Sequence, residues 1–262
     1  MGEWIELERD GTHLACRDFG GSGPPVLFLS GLAGHSGEWE RTAARMTRSR
    51  RVLALDQRGH GRSERNPRDL SREAFVADAA HTIEQLGLGA VALAGQSMGA
   101  NTAFLTAAAH AELVDRLIVA EASPDGPLPE LSSSIGSALR GWPAPFASRA
   151  DAIAYFESRG FDGKTWADGL CERDGLLWPS FEIDVMVATA LALGARSWWP
   201  EWREIRCPTL IAVGERGLIS VAHAEAMAGA VEQARVVRID GAGHDVHLDA
   251  PTAWCEALEA FL

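Results

Sequence analysis

Short apolar runs alternate with helix-period stretches through most of the chain. Trp4-Ile5-Glu6-Leu7 and Thr12-His13-Leu14-Ala15-Cys16 flank Asp10-Gly11 and read as a β-hairpin. Val26-Leu27-Phe28-Leu29 follows a glycine- and proline-rich turn. With no polar residue interrupting it, this run fits a strand buried on both faces. Further strands are expected at Arg51–Leu55, Val91–Ala94, Leu117–Ala120, Pro208–Val213 and Arg235–Ile239. Between them fall helix patterns at about Glu38–Thr47, Arg72–Leu86, the Ala-rich stretch after Gly99 as far as Ala111, Val221–Ala230 and Thr252–Leu262. In the second of these Ser71 is placed to cap, and Phe75, Ala79, Ile83 and Leu86 form one apolar stripe. Strand–helix alternation of this kind predicts an α/β fold, a mostly parallel sheet covered on both faces.

The alternation breaks between Asp125 and Arg203. Pro124, Pro127, Pro129, Pro143 and Pro145 interrupt its start, and eleven of the chain's nineteen aromatic residues lie between Trp142 and Trp202. Helical pieces are expected at Ser148–Arg159, Thr165–Arg173 and Glu182–Leu193. The span reads as a helical cap, 125–203, inserted into one core made of 1–124 and 204–262.

Composition narrows the class. A chain of 262 residues buries roughly 70% or more of its unfolded surface on folding, which supplies one large core without cross-links. The net charge of −12 gives no basic footprint for nucleic acid and would be repelled by an anionic membrane surface, so neither partner is expected. Cys16, Cys171, Cys207 and Cys255 are widely spaced and suggest reduced thiols rather than a disulfide framework or metal site. The first residues lack the basic and apolar regions of a signal peptide, and no apolar run is long enough to span a bilayer. A cytoplasmic location is therefore the expectation, and oligomeric state is not legible.

Gly95-Gln96-Ser97-Met98-Gly99 joins a strand to a helix and carries the sharpest chemical signal. A serine on such a turn is exposed as a nucleophile, while the flanking glycines let backbones approach. A hydroxyl needs a base. Gly241-Ala242-Gly243-His244 follows the last strand and brings His244 to the same sheet edge. Backbone donors for a developing oxyanion are expected at Met98 and, in the loop Ser30-Gly31-Leu32-Ala33-Gly34, at Leu32. His244, His247 and Asp249 spell a metal-like pattern, but Ser97 already gives His244 a role. No metal and no cofactor is expected.

The Gly31 loop, the segment Asp56-Gln57-Arg58-Gly59-His60-Gly61-Arg62-Ser63, the Ser97 elbow and Gly243-His244 together resemble the α/β-hydrolases over essentially the whole chain. The resemblance implies an eight-stranded, mostly parallel sheet with an antiparallel strand near its start and a cap after the sixth strand. It also implies that Arg58 and His60 serve structure or the pocket edge. One position departs from the pattern. The aspartate usual after the seventh strand is replaced by glycine in Gly214-Glu215-Arg216-Gly217-Leu218, at Gly217. Glu121, ending the sixth strand, and Glu215, in the usual loop but two residues early, are the alternative acids, with Asp240 and Asp245 further candidates.

The aromatic cap suggests an apolar cleft, with His35, Trp142, Phe146, Trp178 and Phe181 as candidate pocket residues and Arg140, Arg149, Arg173 and Arg196 as possible anion readers. The expected function is a serine hydrolase that cleaves an ester, lactone or thioester of a small, largely apolar molecule through Ser97, His244 and Glu121. A carbon–carbon bond hydrolase of the same fold and a noncatalytic small-molecule binding protein remain as alternatives.

Overall fold

A computed structural model describes residues 2–126 and 128–262; Met1 and Pro127, one of the prolines at the start of the cap, lie outside the described residues. In chain order the elements are β1 (Glu3–Arg9), β2 (Thr12–Gly20), β3 (Pro25–Leu29), α1 (Glu40–Met46), β4 (Arg51–Asp56), α2 (Arg72–Gln85), β5 (Val91–Gln96), α3 (Met98–Ala109) and β6 (Val114–Ala120). The cap follows: α4 (Leu131–Arg140), α5 (Arg149–Glu157), α6 (Gly163–Asp168), β7 (Leu170–Arg173), β8 (Leu176–Pro179), α7 (Ile183–Leu193) and α8 (Trp199–Trp202). The core resumes with β9 (Thr209–Gly214), α9 (Val221–Ala228), β10 (Ala234–Ile239), α10 (Val246–Asp249) and α11 (Pro251–Glu259).

Eight strands form one sheet in the order β1-β2-β4-β3-β5-β6-β9-β10. β2 runs antiparallel to both β1 and β4, and every pair from β4 to β10 is parallel. The inner strands are apolar on both faces because each face meets helices. Leu27, Leu29, Leu93, Leu117, Val119, Ile211 and Val213 point toward α2, α3, α8 and α9. Their neighbours Val26, Phe28, Ala92, Ala94, Ile118, Leu210 and Ala212 point toward α1, α10 and α11. This two-residue alternation within continuous apolar runs follows from the pleat. Each fully buried aliphatic or aromatic side chain contributes about 1.5–3 kcal/mol of transfer free energy.

The cap differs from its sequence reading in two ways. The helix expected over Thr165–Arg173 ends at Asp168, and Leu170–Arg173 pairs instead with Leu176–Pro179 as a hairpin. Asp174 and Gly175 take positive φ at its turn, a local signal that overrides the weak helical period. α4 lies in a serine-rich stretch with no strong propensity, yet its apolar face packs on α7. Tertiary contact stabilises this helix. The cap is tied to the core by Arg41 to Asp162 at 2.8 Å, Arg65 Nε to Glu182 at 2.5 Å, and His35 Nε2 to the Thr165 carbonyl at 3.0 Å.

The order in which strands are added reverses about β3: the next strand, β4, lies on one side and β5 on the other. The carboxyl ends of β3 and β5 therefore open a crevice, the usual place for a ligand in such sheets. Leu29 is paired in register with Gly95, so the loop after β3 and the turn after β5 face each other across it.

Candidate active site

Ser97 occupies a tight turn with φ 52° and ψ −119°, a conformation costing of order 1–3 kcal/mol for a side-chain-bearing residue. The surrounding glycines make the turn feasible. A Cβ on Gly99 would sit 2.5 Å from the Ser30 carbonyl oxygen, and one on Gly95 would overlap the Gly99 backbone. Met98 begins α3, where an amide has no intrahelical acceptor and the helix dipole is positive. Opposite, Gly34 N donates to Gly31 O at 3.1 Å to close a turn in which Ala33 takes φ 65° and Leu32 lies at the bend. The two loops are braced from behind: Thr102 on α3 donates to Gln57 Oε1 at 2.8 Å, and Gln57 Nε2 donates to the Ser30 carbonyl at 2.9 Å.

Glu121 follows β6 with φ 52° and is almost fully buried. A buried carboxylate requires compensation, and three donors converge on it. Gly214 N lies 2.8 Å from Oε1, Leu218 N lies 2.6 Å from Oε2, and His244 Nδ1 donates to Oε2 at 3.2 Å. Gly217 is the position that lacks the usual aspartate, and its hydrogen faces this carboxylate. A Cβ there would come within 2.6 Å of Oε2 and closer still to Oε1. Glu121 thus lies one strand across the sheet from Gly217, and the glycine leaves room for its carboxylate. Glu215 is directed elsewhere, accepting from Gly241 N at 2.9 Å on the surface. Asp240 is exposed beside Arg238, and Asp245 is held by Gln96. Of the four candidate acids, Glu121 alone is hydrogen-bonded to the imidazole.

Gln96, passed over in the sequence, ties the histidine loop to the elbow: its Nε2 donates to the His244 carbonyl at 3.0 Å and to Asp245 Oδ1 at 3.3 Å. Its place beside Ser97 in the Gly95–Gly99 turn was the available signal. The Asp56–Ser63 segment is a structural support, as the resemblance implied. Asp56 accepts from Ser36 N at 2.6 Å and Arg62 N at 2.8 Å, and buried Arg58 pairs with Asp78 at 2.6 Å. His60 donates from Nδ1 to the Arg58 carbonyl at 2.9 Å, and burial pushes its pKa down to about 4.

Ser97, His244 and Leu32 line one cavity of about 610 Å³ between the sheet edge and the cap. Its apolar wall comes from Leu131, Ile135 and Leu139 of α4 together with Trp142, Phe161 and Trp166. Of the candidate pocket residues Trp142 alone lines this cavity. Phe146 packs against Tyr155 and Phe156 inside the cap, and Phe181 is buried against Trp142 and Met186. Trp178 lies on the hairpin, partly exposed, and His35 latches the cap. The aromatic excess goes mostly into the cap's own small core, because short helices and a hairpin need large side chains to bury enough surface. Of the arginines singled out, Arg140, Arg149 and Arg196 pair with Asp184, Asp168 and Glu201 at the surface. Arg173 ends β7, outside the cavity. Among the described residues no group of three or more His, Cys, Asp or Glu is arranged to hold a metal ion. No helix among them is long and apolar enough to cross a membrane.

The model of the alpha/beta hydrolase fold matches residues 24–251. The chain belongs to this family. The α/β-hydrolase is 30% identical over 253 residues to the sn-1-specific diacylglycerol lipase ABHD11 of Mus musculus, covering 91% of this chain and 81% of the lipase. It is 27% identical over 257 residues to the 2-(acetamidomethylene)succinate hydrolase of Mesorhizobium japonicum, covering 92% and 89%. A crystal structure of an E-2-(acetamidomethylene)succinate hydrolase superposes with a TM-score of 0.90 at 25% identity, covering 100% of this chain and 99% of that one. The α/β-hydrolase is accordingly an enzyme of hydrolytic type, built on the mostly parallel sheet and helical cap of its family.

Proposed function

We propose that the protein is a serine hydrolase of the carboxylic-ester type acting on a small, largely apolar ester, lactone or thioester. The reading is carried by one arrangement: His244 Nδ1 lies 3.2 Å from the buried Glu121 carboxylate, and His244 and the strained Ser97 line the same cavity. With Nδ1 committed to Glu121, the other ring nitrogen, Nε2, is the one left to act as base.

Ser97 Oγ attacks the carbonyl carbon as His244 Nε2 takes its proton, and Glu121 steadies the imidazolium. The Leu32 and Met98 amides hold the oxyanion, each such donor contributing on the order of 10²–10³ in turnover. His244 then protonates the leaving group and activates the water that clears the acyl-enzyme. The relatives are consistent with this chemistry, one being a lipase of diacylglycerol and the other a hydrolase.

A fluorophosphonate probe with mass-spectrometric mapping, run beside a panel of p-nitrophenyl esters, thioesters and lactones, tests the proposal. The expected result is a single adduct at Ser97, with turnover lost in Ser97→Ala. An unlabelled Ser97 together with ester turnover that survives Ser97→Ala would overturn it.

A further inference from the structure

Two carboxylates, Glu38 and Asp245, line the cavity together with its apolar wall, and the catalytic steps use neither. Glu38 is buried beneath the Gly31–Gly34 turn, so close that a Cβ on Gly34 would lie 2.5 Å from its Oε1. It accepts from His35 N at 3.3 Å, and its Oε2 stands 3.5 Å from His247 Nε2. His247 is only 1% exposed and stacks on Trp39, and among the described residues neither ring nitrogen has a hydrogen-bond partner. Asp245 adjoins His244. Burial raises its pKa, with His247 opposing the rise and the Glu38 charge adding to it. Among the described lining residues Arg159 is the sole arginine or lysine, and it lies at the exposed mouth with its guanidinium over the Tyr155 ring.

The cavity is thus apolar on the α4 side and carries two carboxylates beside the Gly31–Gly34 loop, and among its described lining residues the one arginine or lysine stands at the exposed mouth. From this we infer that Glu38 and Asp245 determine specificity by charge: the enzyme accepts uncharged acyl chains and excludes acyl groups that carry a carboxylate. This specificity rests on the serine-hydrolase reading for where the acyl chain lies. A carboxylate brought within a few ångströms of a charge in a partly buried site, at an effective dielectric near 20, loses on the order of tenfold or more in occupancy per charge.

The matched pair dimethyl adipate and monomethyl adipate, one neutral and one anionic at about pH 7.5, differs in that charge with nearly the same chain. Two readouts are needed: kcat/KM on the native enzyme, and equilibrium binding to Ser97→Ala followed by intrinsic tryptophan fluorescence, to which the cavity-lining Trp142 and Trp166 contribute. The native protein is expected to favour the diester at least tenfold in both. Glu38→Gln, which keeps an oxygen for His35 N, and Asp245→Asn are each expected to shrink that preference at least threefold, and the double variant to bring it near unity. Equal binding of the two esters to Ser97→Ala, or a preference untouched in both single variants, overturns the inference even if ester turnover is intact. Preferential binding of the diester that is relaxed by the two substitutions, but without ester turnover by the native protein, would sink the hydrolase reading and leave the charge filter standing.

Discussion

Replacing Glu121 with glutamine tests its proposed role as the triad acid most directly. The side chain keeps its volume, but one oxygen becomes an NH₂ group and the charge is lost. The native carboxylate receives Gly214 N at 2.8 Å, Leu218 N at 2.6 Å and His244 Nδ1 at 3.2 Å. An amide oxygen can serve one side of that trio, so at least one donor is left facing another donor. Leaving a buried donor unsatisfied costs about 1–3 kcal/mol of stability, which lowers the melting temperature without abolishing folding. The chemical loss is larger. The imidazole is no longer held in the tautomer with hydrogen on Nδ1, nor is its cation stabilised, and in serine triads this costs up to about 10⁴ in turnover. Steady-state hydrolysis of p-nitrophenyl butyrate should show kcat reduced by about 10²–10⁴ with KM changed by less than about threefold, the signature of an interaction made in the transition state. Glu215→Gln is the control, because Glu215 meets only Gly241 N, at the surface. A Glu121→Gln enzyme within about fivefold of native kcat, or a Glu215→Gln enzyme as damaged, would refute the assignment.

Gly217→Ala should mimic part of that loss, since its methyl group would push the Glu121 carboxylate off the imidazole; at least a tenfold fall in kcat with a soluble, folded protein by circular dichroism is expected, and native kcat would show that the carboxylate has slack. His60 gives a stability prediction with a definite sign. Its folded pKa of about 4 lies below the ordinary 6.5, so the unfolded chain binds more protons between those values and stability falls as pH drops through that window. The loss approaches about 3 kcal/mol near pH 4. Urea midpoints measured at pH 7, 5.5 and 4.5 should decline less steeply in His60→Asn, whose amide still reaches the Arg58 carbonyl, and identical slopes would remove His60 as the cause.

The core was legible because its signals are local and periodic. Continuous apolar runs at Val26–Leu29 and Val91–Ala94 mark strands covered on both faces, and the Ser97 elbow is fixed by glycines that no larger residue could replace. Glu121 was legible as a candidate by a topological argument, that neighbouring parallel strands end side by side. The cap was not. The Leu170–Pro179 hairpin carries a local signal, the Asp174-Gly175 turn, that the helical period of Thr165–Arg173 masked; α4 has little propensity of its own and depends on α7, a partner that a one-dimensional pattern does not contain.

By itself, then, the order of residues determined which strands are interior, where the chain must turn sharply, and that a hydroxyl and an imidazole end at one edge of a parallel sheet. Tertiary structure alone decided which acid reaches the imidazole, because that depends on Gly214, Gly217 and Leu218 converging on a side chain about a hundred residues away in sequence. It alone also divided the cap's aromatics between wall and core, and placed Glu38 and Asp245 in one cavity with the apolar residues of α4. The physical reason is the same in each case: periodicity and backbone conformation act between neighbours in sequence, whereas a buried charge or ring is settled by whatever the completed fold brings against it.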